Sequence, residues 1–194
     1  MAEYFKVLFV AAEASPFAKV GGLGDVIGSL PLELCRAGHD ARIVLPHYGT
    51  IREDYEVISR DAFNFDFLGI AEPVRITEVR LKERVPLYLI GNDHYFGRTA
   101  VYGEPDDGER FQFFSRVAME LPQRLNWSPD IIHCHDWQTA ICTALLKFDY
   151  RQRPFYSGVA SVYTIHNLAY QGWIDDNFIS RTHLGNYLLP PDNP

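Results

Sequence analysis

The chain has 194 residues, of which 47% are hydrophobic and 22% charged, a composition typical of a folded α/β protein with a substantial core and not of a disordered chain. Its 18 lysines and arginines against 25 aspartates and glutamates give a net charge of −7, so neither nucleic acid nor an anionic membrane surface is expected as a partner. Three cysteines without a C-x-x-C spacing predict no disulfide framework and favour a reducing compartment, and we expect neither a signal peptide nor a membrane-spanning run.

The first elements predicted are a strand, a helix and a second strand. Residues 6–12 form a nearly continuous apolar run, the pattern of a strand buried on both faces. A helix is predicted next from residues at three- and four-residue spacing, namely Val26, Ile27, Leu30 and Leu34. Pro31 predicts that this helix is kinked or begins afresh, and Gly38 is a candidate C-cap. "ARIVLP" then reads as a second buried strand, which completes a βαβ opening.

The middle of the chain, from Tyr48 to about Asn92, predicts a β-rich insertion. "EVISRDAFNFDF", "PVRITEVRL" and "VPLYLIGN" are short segments with partial alternation, and "KER" is the predicted turn between the last two. The last of them is expected to be a core strand that ends near Gly91. The following stretch "HYFGRTAVYGEPDDGE" is predicted to be a loop.

Helices and strands alternate in the last part of the chain. One amphipathic helix is predicted from Phe111, Phe114, Ala118, Leu121 and Leu125, and a second from Ala140, Ala144, Leu145 and Phe148. "PDIIHCH" precedes the second helix as a strand, "GVASVYTIH" follows it as another, and the tail "LGNYLLPPDNP" shows no element. This alternation predicts a Rossmann-like, doubly wound, mostly parallel sheet.

Three chemically rich segments follow predicted strands: "KVGGLGD", "HCHDWQTA" and "TIHNLAYQG". Ligands of open α/β sheets bind beyond the carboxyl ends of the strands. We therefore expect the three segments to converge on one site.

The glycine-rich segment matches neither the P-loop nor the dinucleotide fingerprint. Gly21 and Gly22 would let backbone N–H groups approach an anion at a helix N-terminus, and Lys19 would add a positive charge. The alternative is a tight strand-to-helix turn with a solvated lysine.

The second segment contains His133 and His135, which lie two residues apart and would face the same way on a strand. A metal pair is conceivable, but no third ligand stands at a supporting spacing, so no metal site is expected. We expect His133 in the core and His135 facing the cleft, with Asp136 orienting it or capping the next helix and Trp137 packing.

The third segment carries side chains that hydrogen-bond sugar hydroxyls and stack on sugar faces: His166, Asn167, Tyr170 and Gln171. A hydrogen-bonded turn around an aromatic core is the alternative. A further group of aromatic residues could form a glycan platform or pack in the core: Tyr95, Phe96, Tyr102 and Phe111. No G-x-S-x-G nucleophile elbow is present.

Taken together, "KVLFVAAEASPFAKVGGLGDVIGSLP", "IIHCHDWQTA" and "YTIHNLAYQG" closely resemble the N-terminal half of bacterial glycogen synthases and plant starch synthases, glycosyltransferase family 5. The resemblance runs from Lys6 to about Trp173 and is loose between Tyr48 and Asn92. It implies that residues 1–194 form the single N-terminal, acceptor-side Rossmann-like domain of a GT-B glycosyltransferase, with the C-terminal nucleotide-sugar domain outside this chain. The implied reaction transfers glucose from ADP-glucose, or UDP-glucose in some members, to the non-reducing end of an α-1,4-glucan with retention. No metal or other cofactor is implied, and no nucleophile is assigned.

The resemblance also implies roles at the donor end of the cleft. Lys19 would contact the donor phosphates and serve catalysis, beside the backbone amides of Gly21 and Gly22, with Asp25 in the same loop. His135 would lie against the transferred glucose as the second catalytic residue.

At the sugar and acceptor end, the resemblance implies that His166 and Asn167 line the cleft. Asp107, Arg110 and Phe111 resemble the D-x-x-R-F block of the family. Phe96 stands where many bacterial members carry an acceptor-stacking tyrosine, and Tyr102 is assigned to the same cleft.

The leading hypothesis is thus one domain of a glycogen or starch synthase, with an α-1,4-glucan and ADP-glucose as partners and no activity expected from this chain alone. A catalytically silent α-glucan-binding module is the first alternative. A metal-dependent hydrolase using His133, His135 and Asp136 is the second. The resemblance implies the bacterial cytoplasm, or the plastid stroma for a plant or algal source.

Overall fold

The protein is described by a computed structural model that covers residues 3–52 and 54–172. In these two described ranges, seven strands form one sheet. Their bounds are β1 Lys6–Val10, β2 Asp40–Pro46, β3 Ser59–Phe67, β4 Ile70–Leu81, β5 Val85–Gly91, β6 Ile131–His135 and β7 Ala160–Thr164. The tail "LGNYLLPPDNP" lies outside the described residues.

Five α-helices lie between these strands in the part of the chain that the structure describes. Their bounds are α1 Gly22–Ile27, α2 Leu30–Arg36, α3 Asp93–Phe96, α4 Asp107–Arg124 and α5 Trp137–Leu145. A π-helical turn at Leu146–Tyr150 extends α5, and a 3-10 turn spans Pro154–Tyr156. Within residues 3–52 and 54–172, no helix combines the length and hydropathy needed to cross a membrane.

The strand order is β3-β4-β5-β2-β1-β6-β7. The five strands from β5 to β7 run parallel to one another, while β4 is antiparallel to both β5 and β3. The β-rich insertion is therefore a hairpin that widens a parallel sheet at one side. The predicted α/β fold with a mostly parallel sheet and a β-rich insertion is confirmed.

Strand β1 is the middle one of the five parallel strands and lies between β2 and β6. Its residues Leu8, Phe9 and Val10 are completely buried, as expected for a parallel strand that has a hydrogen-bonded neighbour on each side. Each such side chain contributes about 1.5–3 kcal/mol through removal of its surface from water. This core fixes the end of β1, after which the glycine-rich segment begins.

Two local predictions can be judged directly. Pro31 does begin a new helix: it is the second residue of α2, where its missing N–H costs no hydrogen bond. The stretch predicted as a loop after β5 contains α3, a single helical turn. The side chain of Asn92 caps this turn by accepting a hydrogen bond from the Tyr95 N–H at 2.9 Å.

Candidate functional site

A pocket of about 680 Å³ lies beyond the carboxyl ends of β1 and β6, beside the segment that follows β7. All three motif segments contribute to its lining, with Gly21 and Gly22, Asp136 and Gln138, and His166 and Asn167 respectively. The loop before α4 adds Tyr102 and Gly103, and α4 itself adds Asp107. The expectation that the three segments converge at one sheet edge is confirmed.

The glycine turn is held by a carboxylate from its own chain. Glu13, which follows β1 and is only 3% exposed, accepts hydrogen bonds at Oε2 from the N–H groups of Val20 (2.6 Å) and Gly21 (2.8 Å). The Gly21 amide, predicted to face a phosphate, is therefore already engaged. Gly22 lines the pocket next to it.

Lys19 and Asp25 pair with each other. The Lys19 Nζ and Asp25 Oδ1 atoms are 2.7 Å apart, and both side chains are about half exposed. Neither residue is among those that line the pocket, and Asp25 instead borders a second hollow beside Pro16. A Cβ on Gly24 would lie 3.1 Å from Lys19 Cγ and 3.2 Å from Glu13 Oε2, so glycine at this position lets both side chains pass.

The histidines of β6 are placed differently from the prediction. His135 is completely buried and does not line the pocket, whereas His133 is only half-buried. His135 Nδ1 lies 2.9 Å from His166 Nε2, and it is His166 that reaches the pocket. The prediction that His135 faces the cleft is wrong because its ring is buried in the core, stacked on Phe9 with the ring centroids 5.8 Å apart.

The burial of His135 determines its charge. Burial lowers the pKa of its imidazole to about 3, with further contributions from the neighbouring His133 and His166. His135 is therefore neutral at pH 7. Its Nε2 atom is buried and has no hydrogen-bond partner among the described residues.

Asp136 neither orients His135 nor caps α5 with its side chain. Its Oδ1 accepts hydrogen bonds from the backbone N–H groups of His166 (2.6 Å) and Asn167 (3.4 Å), which fixes the third segment against the end of β6. Its backbone has φ +56° and ψ 179°, a conformation that is strained for any residue with a Cβ. Strain of this kind is tolerated where the surrounding contacts impose it.

Trp137 packs against Phe111 and against the segment that follows β7, so its predicted packing role is confirmed. Its ring packs edge-on against Phe111, with centroids 5.5 Å apart. The backbone of Gly172 lies so close to the indole that an added Cβ would be 2.4 Å from Trp137 Cε3. The segment from His166 to Gly172 is thus held at both ends.

Of the residues predicted for the acceptor end, Tyr102 and Asp107 line the pocket. The Tyr102 hydroxyl donates to Glu13 Oε1 at 2.7 Å, and burial raises the pKa of this phenol. Asp107 Oδ2 accepts from the Gly103 N–H at 2.8 Å, and its Oδ1 accepts from Arg110 Nε at 2.7 Å.

Arg110 and Phe96 do not reach the pocket, and their predicted sugar contacts are wrong for this structure. Arg110 is completely buried, where its guanidinium binds Asp107 and donates to the Val101 carbonyl at 2.6 Å. Phe96 is also completely buried, in edge contact with Tyr48. Because phenylalanine carries no hydroxyl to hydrate, the core accommodates it without an unpaired polar group.

The other candidate aromatics, Tyr95 and Phe111, are buried as well, so core packing explains this group apart from Tyr102. No group of three or more His, Cys, Asp or Glu side chains is placed to hold a metal ion in the described part of the chain. Chemistry without a metal stays a prediction. Among the pocket residues that were not predicted as candidates are two polar ones, Glu13 and Gln138; Gln138 lies inside the second motif segment, whereas no local motif marks Glu13.

A family model described as the starch synthase catalytic domain matches residues 6–193. Among curated proteins, the chain is 43% identical over 175 residues to a glycogen synthase of Alkaliphilus metalliredigens, and 45% identical over 170 residues to one of Clostridium perfringens. Each match covers 86% of this chain and 35% of the relative. The chain thus spans about a third of the length of these relatives.

A solved structure gives the same result. The catalytic domain of starch synthase IV from Arabidopsis thaliana, bound to ADP and acarbose, superposes with a TM-score of 0.88 at 36% identity. The match covers 98% of this chain and 40% of that one.

Proposed function

Since this chain belongs to the family of starch synthase catalytic domains, we propose that it forms one wall of the active site of a retaining glucosyltransferase. The proposed reaction moves glucose from ADP-glucose to the non-reducing end of an α-1,4-glucan. One observation carries the proposal: Gly22, Tyr102, Asp107, His166 and Asn167 meet in a single pocket at the carboxyl ends of the strands.

At the donor end, Lys19 is the residue proposed to meet the diphosphate. The Lys19 side chain is half exposed and its partner Asp25 is equally accessible, so a diphosphate can replace the carboxylate as the counter-ion. When the bond between glucose and diphosphate breaks, negative charge grows on the leaving oxygen, and a nearby cation stabilises it. Gly22, which lines the pocket, is proposed to supply a backbone N–H to the same diphosphate.

At the sugar end, His166, Asn167 and Asp107 provide the polar groups that would bind hydroxyls of glucose. His135 acts through His166 in this proposal: the neutral His135 ring fixes the His166 ring by the Nδ1–Nε2 hydrogen bond. ADP-glucose is a substrate here, and no metal or other cofactor is proposed. The bacterial cytoplasm, or a plastid stroma, is the compartment proposed for this reaction.

The test is binding of ADP to the 194-residue chain, measured by calorimetry. Lys19→Ala is expected to weaken ADP binding by about tenfold or more, because the diphosphate loses a charge-assisted hydrogen bond. Lys147→Ala is the matched control, since Lys147 lies in the π-helical turn, lines a separate hollow and is not expected to contact the nucleotide. Equal ADP affinity for the wild-type chain and Lys19→Ala would contradict the phosphate assignment.

Two further measurements separate the alternatives. Binding of a maltooligosaccharide without binding of ADP would favour the glucan-binding module. Because the chain spans about a third of its curated relatives, the other parts of such proteins are proposed to complete the active site. Incubation of the 194-residue chain with ADP-glucose and a glucan is therefore expected to give no transfer, and measurable turnover would refute this division.

A further inference from the structure

The glycine turn already contains an anion, the carboxylate of Glu13. One oxygen, Oε2, accepts the N–H groups of two successive residues, Val20 and Gly21, at 2.6 and 2.8 Å. The N–H groups of successive residues that point to one place form the concavity in which proteins bind phosphates and other anions. In this chain the Glu13 carboxylate occupies that concavity.

The second oxygen of Glu13 binds a residue of the loop before α4. Oε1 accepts the hydroxyl proton of Tyr102 at 2.7 Å, and Tyr102 lies 89 residues further along the chain, in the loop before α4. A single carboxylate therefore joins the turn after β1 to the loop before α4, and both of these segments line the pocket. Both Glu13 and Tyr102 line that pocket.

The surroundings of Glu13 make this carboxylate a strong constraint. It is 3% exposed, and a buried carboxylate is stable only while its oxygens are hydrogen-bonded. Bonds from neutral donors to a charged acceptor are roughly twice as strong as bonds between neutral groups. Gly24 leaves the necessary space, because a Cβ there would lie 3.2 Å from Oε2.

We propose that Glu13 is a positioning residue that occupies the anion position of the glycine turn and joins the turn to Tyr102 at the wall of the pocket. A phosphate of the donor cannot bind the Val20 and Gly21 amides while the carboxylate fills them, since two anions at one place repel each other. The diphosphate is thereby directed to Lys19 and Gly22. The inference rests on the proposed function for the identity of that diphosphate, but its principal readout does not involve glucosyl transfer.

The experiment measures amide hydrogen exchange by NMR in the full 194-residue chain. In Glu13→Ala, exchange at Val20 and Gly21 is expected to accelerate by about tenfold or more, because both N–H groups lose a charged acceptor. Added formate, a carboxylate small enough to enter the vacated position, is expected to restore the protection of these two amides. A merely structural role for Glu13 would not produce rescue confined to them.

Two matched variants separate geometry from charge. In Glu13→Gln the side-chain carbonyl replaces Oε2 and the amide group faces the Tyr102 hydroxyl, which can accept as well as donate. Exchange at Val20 and Gly21 is therefore expected to stay within about threefold of the wild type. Tyr102→Phe removes only the bond to Oε1 and is expected to leave these two amides equally protected.

Titration with inorganic pyrophosphate completes the test. In the wild-type chain, pyrophosphate is expected to leave exchange at Val20 and Gly21 unchanged, whereas in Glu13→Ala it is expected to slow exchange at both. Unchanged exchange in Glu13→Ala, or pyrophosphate protection of both amides in the wild type, would overturn the inference. If Glu13→Ala does not fold, exchange in Glu13→Gln at the rate of an unstructured peptide would overturn it instead. A wild-type chain that does not bind pyrophosphate contradicts the proposed function alone, because the formate arm is independent of it.

Discussion

Acid is expected to destabilise this protein through His135. The imidazole is completely buried, and its pKa falls from 6.5 to about 3 because burial disfavours the charged form. Between pH 6.5 and 3 the unfolded chain binds a proton at this residue and the folded chain does not. The free energy of unfolding therefore decreases as the pH falls through this window. The stability that comes from keeping His135 neutral is fully present above pH 6.5 and fully lost below pH 3.

The magnitude follows from the shift itself. One pH unit in this window corresponds to about 1.4 kcal/mol for a single proton, so the whole window amounts to roughly 5 kcal/mol. Between pH 6.5 and pH 4.5 the loss is about 3 kcal/mol. Small domains have total stabilities of about 5–15 kcal/mol, so a loss of this size is readily measured. Burial also lowers the pKa of His133, which adds a loss of the same sign.

The assay is urea unfolding followed by tryptophan fluorescence at several pH values from 7 to 4.5. His135→Asn removes the titrating group and is expected to be less stable than the wild type at pH 7, because it loses the stack on Phe9. This difference in the free energy of unfolding is expected to shrink by about 3 kcal/mol on going to pH 4.5. Phe9→Leu is the control, since it disturbs the same packing and keeps the imidazole.

Parallel pH dependences for the wild type and His135→Asn would refute this reasoning. They would mean that His135 binds its proton equally well in the folded and unfolded states. A pH dependence altered equally in Phe9→Leu would attribute the effect to packing instead of to the proton.

Substitutions at three other residues test the assignments made above. Arg110→Met leaves the Asp107 carboxylate without its buried cation and is expected to lower the free energy of unfolding by about 3–5 kcal/mol, measured by urea unfolding. A loss below about 1 kcal/mol would contradict a structural role for the Arg110–Asp107 ion pair. Phe96→Ala is expected to lower the free energy of unfolding by about 3–5 kcal/mol in the same measurement. A loss of glucan affinity with unchanged stability would instead support the predicted contact between Phe96 and the acceptor. Asp136→Gly and Asp136→Ala both lose the hydrogen bonds to the third segment, but only glycine adopts a positive φ without strain. Asp136→Gly is therefore expected to be more stable than Asp136→Ala by about 1 kcal/mol. Equal melting temperatures of the two variants would argue against backbone strain at this residue.

The fold could be predicted because its signals are local. Buried parallel strands appear as short apolar runs, helices as three- and four-residue spacing, and their alternation implies a parallel sheet. The single turn α3 was missed because four residues are too few to show a period, and because its cap depends on the side chain of Asn92. The position of the pocket followed from the fold, since the strand ends determine where loops meet.

The inner structure of the site depends on contacts that no local pattern contains. Glu13 looks in the sequence like the end of an apolar run, and its hydroxyl donor Tyr102 is 89 residues away. Arg110 is a charged residue in an aromatic helix, and charged residues are usually exposed, so full burial could not be expected from its type. The sequence predicted correctly that His135 lies at the carboxyl end of a strand, but wrongly that its side chain is exposed to the cleft. The burial of a side chain at a strand end depends on the neighbouring segments that cover it.

The central position of β1 has a consequence for how the protein folds. Its backbone is joined to the β6 side of the sheet by a bond from the Lys6 N–H to Asp130, a separation of 124 residues, while β2 to β5 pair over much shorter distances. Pairings between distant residues form slowly, because a long loop must close first. A chain emerging from the ribosome can therefore assemble the hairpin side of the sheet while β1 still lacks one neighbour. The second and third motif segments, which line the pocket, exist only after residues 131–172 have been synthesised. We therefore expect ligand binding to be the last property that the nascent chain gains.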